Sequence, residues 1–163
     1  MNEKKLVSLL PNIFLILSII AFDQVTKLAI LKNFPNPLKI IEITSFLNFV
    51  LVQNKGISFG LFSHYEIGWL ISILTVVIII VLFMWLKKLD RPILAFHFSL
   101  IVGGAIGNLI DRLNYGAVVD FIDFHLFGWH WPAFNIADSA ITLGVVFLLI
   151  VSFSNNFKLF SKF

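Results

Sequence analysis

The sequence predicts an α-helical integral membrane protein with four transmembrane helices and a small extramembrane β-rich stretch between helices 1 and 2. Composition is the first reason. Of 163 residues, 59% are hydrophobic and 13% charged, and the mean hydropathy is +0.97. The second is the recurrence of uncharged runs near the length of about 20 residues that a helix needs to cross the hydrocarbon core. The third is the interval 36–64, which lacks such a run and mixes β-branched, aromatic and polar residues as surface strands do. The length leaves room for one membrane domain, residues 1–163.

Lys4 and Lys5 precede an apolar run from Leu6 to Phe22. That opening resembles a signal peptide, but no small-x-small cleavage site follows it, so an uncleaved first span over about 6–27 is expected. Pro11 falls near its start, where a missing N–H costs least. Pro35 and Pro37 then break the helix. From Leu38 to Val52, Lys39, Glu42, Thr44, Ser45 and Asn48 punctuate apolar residues, a pattern suited to two or three short strands on the membrane surface. Asn54-Lys55-Gly56 reads as a turn, and Ile57 to His64 as a further strand or a short interfacial helix.

Gly68 to Leu86 carries no charge and has Trp69 and Trp85 near its ends, the aromatic belts of a second span at 68–86. Lys87, Lys88, Asp90 and Arg91 crowd into the following turn. A third span is expected at 93–112, where Gly103, Gly104 and Gly107 allow close helix approach. A fourth is expected at 133–153, before a polar tail with Lys158 and Lys162. Four spans put both termini on one side. The ends and the short turn hold Lys4, Lys5, Lys87, Lys88, Arg91, Lys158 and Lys162, so both termini are expected in the cytoplasm.

Span direction alone brings Asp23, Asp111, Asp120, Asp138 and Asn54 to one face of the membrane. Carboxylates near lipid are expensive, about 2.5–3.5 kcal/mol for an Asp at a helix centre, so their concentration in 103–139 marks the segment for function. Asp120 and Asp138 are the candidate pair. Two carboxylates brought close cannot both ionise cheaply; one then serves as base toward water and the other as acid. Each has a plainer reading. Asp138 can be an N-cap, and Asp123, three residues beyond Asp120 in an apolar loop, is read as solvated loop charge. Asp23 and Lys27, spaced i, i+4, can pair as a helix-end anchor or as support for a site. Gly104, Asn108, Asp111 and Arg112 form one stripe on the third span. Asp111-Arg112 can simply mark the membrane boundary, whereas Asn108 needs partners if buried.

Other chemistries fit less well. Zero cysteines excludes disulfides, thiolate metal sites and a cysteine nucleophile. His125 and His130 lack the spacing of a two-His helical zinc site and belong to an aromatic interfacial loop. His97 is read as a packed, hydrogen-bonded side chain. No Gly-x-Ser-x-Gly elbow, phosphate loop or basic-aromatic stripe occurs, so a serine triad, a nucleotide and nucleic acid are not expected. No metal or cofactor is expected either. A proton-coupled carrier would place its acids at the midplane between repeated halves, and no repeat is visible. A non-enzymatic lipid-binding scaffold is the remaining alternative.

The motifs Asp23-Gln-Val-Thr-Lys27, Gln53-Asn54-Lys55-Gly56-Ile57-Ser58-Phe59-Gly60, Gly107-Asn108-Leu-Ile-Asp111-Arg112, Val118-Val119-Asp120-Phe121-Ile-Asp123 and Phe134-Asn135-Ile-Ala137-Asp138-Ser139 follow in order along the chain. In these the sequence resembles the bacterial lipoprotein signal peptidases (signal peptidase II), membrane aspartyl proteases, along essentially its whole length; Ser58 stands where Ala is more frequent. The resemblance implies an extramembrane β-cradle and removal of the signal peptide from a diacylglyceryl prolipoprotein, just before the lipidated cysteine. It implies a catalytic dyad of Asp120 and Asp138. Asn54, Gly56, Asn108, Arg112 and Asn135 would bind substrate or orient the dyad, and Asp23, Lys27 and Asp111 would hold the scaffold. It places the enzyme in the cytoplasmic (inner) membrane as a multi-pass monomer among membrane lipids, with its site at the outer, periplasmic interface.

Overall fold

A computed structural model describes residues 3–34, 39–56 and 68–153. The elements run α1 (Glu3–Asn33), β1 (Ile41–Thr44), β2 (Leu47–Asn54), α2 (Gly68–Leu86), α3 (Pro92–Tyr115), β3 (Val118–Leu126), β4 (Trp129–His130) and α4 (Ile136–Phe153). All four helices are long and apolar enough to cross a membrane. Their apolar side chains face outward where lipid would lie: Phe14, Val25, Trp69 and Ile150 are all exposed. α3 is the central helix, packing against α1, α2 and α4. A buried cluster of Ile16, Leu86, Ala95, Phe98 and Val102 joins α1, α2 and α3.

The helix ends differ from the expected spans for local reasons. α1 continues past Lys27 to Asn33 because Lys27 is buried inside the bundle instead of ending the span at its surface. Ile30 of its last turn and Phe34 just beyond its end pack on Phe121 of β3. α4 starts at Ile136, since Phe134 is held in strand-like pairing with β3: its carbonyl accepts from the N–H groups of Phe121 and Ile122, and its N–H donates to Ile122.

The sheet is antiparallel in the order β1-β2-β3-β4. Only β1 and β2 come from the interval between helices 1 and 2. The segment expected as a loop between α3 and α4 supplies the other two strands. Its run of Val, Phe and Ile has strand propensity, and β2 supplies an edge for it to pair with. β3 and β4 join through Phe127-Gly128, both at positive φ (50° and 79°), as a two-residue hairpin turn requires. Ile57 to His64, Pro35, Pro37 and the tail with Lys158 and Lys162 lie outside the described residues.

At the polar end of the bundle, close approach of α3 to α1 and α4 depends on Gly104 and Gly107. A Cβ at Gly104 would collide with the Ala137 carbonyl and the Ile141 side chain; one at Gly107 would meet Asp23 Oδ2 at 2.6 Å. These contacts bring the polar ends of the three helices together. His97, lower on α3, is packed between Phe96 and Phe147, but its Nδ1 finds no hydrogen-bond partner among the described residues, contrary to the hydrogen-bonded side chain expected.

Candidate active site

The polar residues of α1, α3, β3 and the start of α4 converge at the sheet-bearing end of the bundle. Deepest is an ion cluster. Lys27 Nζ lies 2.8 Å from both Asp23 Oδ2 and Asp111 Oδ2, with all three side chains essentially inaccessible. This is not the surface helix-end anchor that spacing alone permits. Asp111 is likewise no boundary marker: its Oδ2 accepts the N–H of Val119 at 3.0 Å and fixes where β3 begins. Asp23 Oδ1 accepts the N–H of Ala137 at 2.9 Å and so holds the first turn of α4. Burying charges is costly unless they are paired and hydrogen-bonded, and both carboxylates here meet that condition.

Asp120 projects from β3 and is 2% exposed. Asn54 Nδ2 donates to its Oδ2 at 3.0 Å, and Asn135 Nδ2 to its Oδ1 at 2.7 Å. The first contact follows from register. Asn54 pairs with Val118 and Val52 with Asp120, so Asn54 and Asp120 are diagonal neighbours across the β2–β3 ladder. Burial, and then the nearby charge of Asp138, push the Asp120 carboxyl up to about 7; the hydrogen bonds from Asn54 and Asn135 oppose the rise.

Asp138 is half-buried in the first turn of α4. The N-cap itself is Asn135, whose Oδ1 accepts the Asp138 N–H at 2.8 Å, while Asp138 Oδ2 accepts the Asn135 N–H at 3.3 Å. That reciprocal pair is a capping box, with Asp138 at its third helical position instead of at the cap. It leaves Asp138 Oδ1 for Asn108 Nδ2, at 2.8 Å. A cavity of about 260 Å³ opens beside these groups, lined by Asn54, Asn108, Arg112 and Asp138 and walled by apolar residues of α2, α3 and α4 such as Leu74, Ile101 and Ile141. Asp138 also borders a second cavity of about 340 Å³ with Trp131, Phe134 and Leu143. It therefore stands between two mostly apolar clefts.

Arg112 donates through Nη2 to the Gly56 carbonyl at 3.3 Å, and its buried Nε has no hydrogen-bond partner among the described residues. The Gly56 N–H in turn donates to Asn54 Oδ1 at 3.0 Å, which holds the Asn54 amide with its Nδ2 toward Asp120. Every site residue expected from the sequence thus falls in one connected network. Ser58 lies outside the described residues.

Asp123 corrects an expectation. It is buried, not solvated: Asn48 Nδ2 donates to it at 3.0 Å, and His130 Nδ1 lies 2.9 Å from its Oδ1. A bulge in the β2–β3 pairing between Phe49 and Val52 accompanies the burial of both Asp120 and Asp123, three residues apart on one strand. Sequence reasoning also missed Gln24, whose Nε2 donates to Asp111 Oδ1 at 2.9 Å and to the Gly107 carbonyl at 3.2 Å. An amide next to Asp23 within a span was the available signal. Among the described residues no three acidic or histidine side chains converge as a metal-binding group.

Comparison with known proteins shows the family. The family model described as signal peptidase (SPase) II matches residues 15–154. The chain is 44% identical over 146 residues to a lipoprotein signal peptidase of Burkholderia multivorans, covering 87% of each chain. It is 48% identical over 135 residues to one from Thermodesulfovibrio yellowstonii, covering 83% of this chain and 87% of the relative. A solved bacterial membrane enzyme superposes with a TM-score of 0.78 at 34% identity, over 91% of this chain and 92% of that one. The chain belongs to the signal peptidase II family of membrane proteases, with the lipoprotein signal peptidase function of that family.

Proposed function

We propose that Asp120 and Asp138 activate water to cleave a diacylglyceryl prolipoprotein immediately before its lipidated cysteine. The observation that carries this is the double tether: Asn135 binds Asp120 at 2.7 Å, Asn108 binds Asp138 at 2.8 Å, and the two amides bind each other at 3.1 Å. Two carboxylates with different surroundings are thereby tied into one network: Asp138 lines the cavity itself, and Asp120 is bonded to Asn54, which lines it too. Asp138 accepts a backbone N–H in a helix first turn, where the macrodipole favours the anion, and it borders both clefts. It is the base that takes a proton from water. Asp120, enclosed and with its carboxyl raised to about 7, supplies a proton to the carbonyl oxygen or the leaving amine.

The apolar walls suit a substrate whose acyl chains remain in the bilayer and present the scissile bond near headgroup level. Arg112 lines the cavity, and its further guanidinium N–H groups can donate to a substrate carbonyl. The molecule works as a monomeric single domain with both termini in the cytoplasm and the site at the outer interface, among membrane lipids and without nucleic acid or cofactor. Purified Asp120→Asn and Asp138→Asn proteins should insert and fold yet lose about 10³-fold or more in cleavage of lipidated precursor. Substantial turnover by either would remove the pair from the reaction.

A further inference from the structure

We infer that Lys27 is a positioning residue for the reaction, acting on Asp138 through the side-chain amide of Asn108. This rests on the dyad reading above. A carboxamide can turn over, exchanging its oxygen and nitrogen, and only its partners decide which end points where. At Asn108 two donors converge on the oxygen: Lys27 Nζ at 3.0 Å and Asn135 Nδ2 at 3.1 Å. The amide nitrogen must then point the other way, and it meets Asp138 Oδ1 at 2.8 Å. Turning the amide over would set its N–H₂ against an ammonium and leave its oxygen against a carboxylate, losing these bonds at once.

The ammonium has little freedom of its own. It is held between Asp23 and Asp111 at 2.8 Å each, so Asn108 is its third partner and completes its donor capacity. Asp23 and Asp111 are tied in turn to the start of α4 and the start of β3, the two elements that carry Asp138 and Asp120. Lys27 thus sits at the root of a path, ammonium to amide to carboxylate, that ends on the proposed base. It is 1% exposed and lines neither of the two cavities that Asp138 borders.

A double-mutant cycle in turnover of a lipidated precursor, on purified protein, tests this. Lys27→Met should lower kcat by about 100-fold with KM within about threefold, because the cavity walls are unchanged. In an Asn108→Ala background the same substitution should change kcat by less than about threefold, since the amide through which it acts is gone. Losses that multiply across the two sites, or a Lys27→Met protein with nearly native kcat, would overturn the inference. If Lys27→Met does not accumulate folded, the cycle is run with Asp23→Asn/Lys27→Met, which removes a charge pair together and leaves Asp111 bound to Gln24 and Val119. Turnover by Asp138→Asn would overturn the dyad reading itself. A multiplicative cycle beside an inactive Asp138→Asn would remove only the role given to Lys27.

Discussion

Asn135 donates from Nδ2 to Asp120 across 2.7 Å, while its Oδ1 caps α4 by accepting the N–H of Asp138. One amide therefore fixes the helix start and the strand carboxylate relative to each other. The two duties separate by substitution. Asn135→Ser keeps a good N-cap but is too short to reach Asp120, whereas Asn135→Ala also loses the cap, worth about 1 kcal/mol. The Ser protein should melt within a few degrees of the native one in detergent, and both variants should lose at least about 100-fold in precursor cleavage.

How much of this was legible beforehand differs between elements. The four spans were, because lipid leaves the apolar run as the dominant signal. The gathering of the acids at one face followed from span direction. Strands β3 and β4 were not. Val118–Leu126 has strand composition, yet a strand needs a partner edge, and that edge lies on β2, far away in sequence. Reading the segment as a loop also misplaced Asp123 in solvent. The capping box was half visible: Asp138 at a helix start suggested a cap, but which residue caps depends on where Phe134 stops pairing with β3.

Asp123 gives the contrasting case. It is buried and bonded to Asn48 and His130, and it ties the β3–β4 hairpin without touching Asp120 or Asp138 in the hydrogen-bond network. Asp123→Asn should therefore keep cleavage within about fivefold of native while lowering the melting temperature. A loss comparable to that of Asp120→Asn would place Asp123 in the reaction. Steady-state turnover beside a thermal melt decides between them.

Gly116 ends α3 at φ 70°, with its N–H on the Arg112 carbonyl at 3.0 Å, and a Cβ there would meet nothing within 4 Å. Gly116→Ala thus costs only the left-handed backbone strain, about 1 kcal/mol. At Gly104 a Cβ collides with the first turn of α4 just before Asp138. Gly104→Ala should cost more, about 1–3 kcal/mol, through overpacking. It should also shift Asp138, so that its loss in kcat exceeds what its folded fraction explains. Melts and kcat on the folded fraction of both proteins compare the two.

The pH dependence follows from Asp120. Its carboxyl is raised to about 7 by burial first and by the charge of Asp138 second, against the hydrogen bonds of Asn54 and Asn135 and the charge of Lys27. As the acid it works only while protonated, so turnover should fall as pH rises through about 7. Asn54 Nδ2 stabilises the ionised form, and removing it makes the proton harder to lose. Asn54→Ala should therefore move the alkaline limb of kcat upward, at a lower plateau. The charge of Asp138 acts in the opposite sense: in Asp138→Asn the Asp120 carboxyl should ionise at lower pH than in the native protein. That variant is inactive, so the titration is followed by the infrared carboxyl band that disappears in Asp120→Asn. A band that titrates at the same pH with and without the Asp138 charge would mean that the two carboxylates do not sense each other.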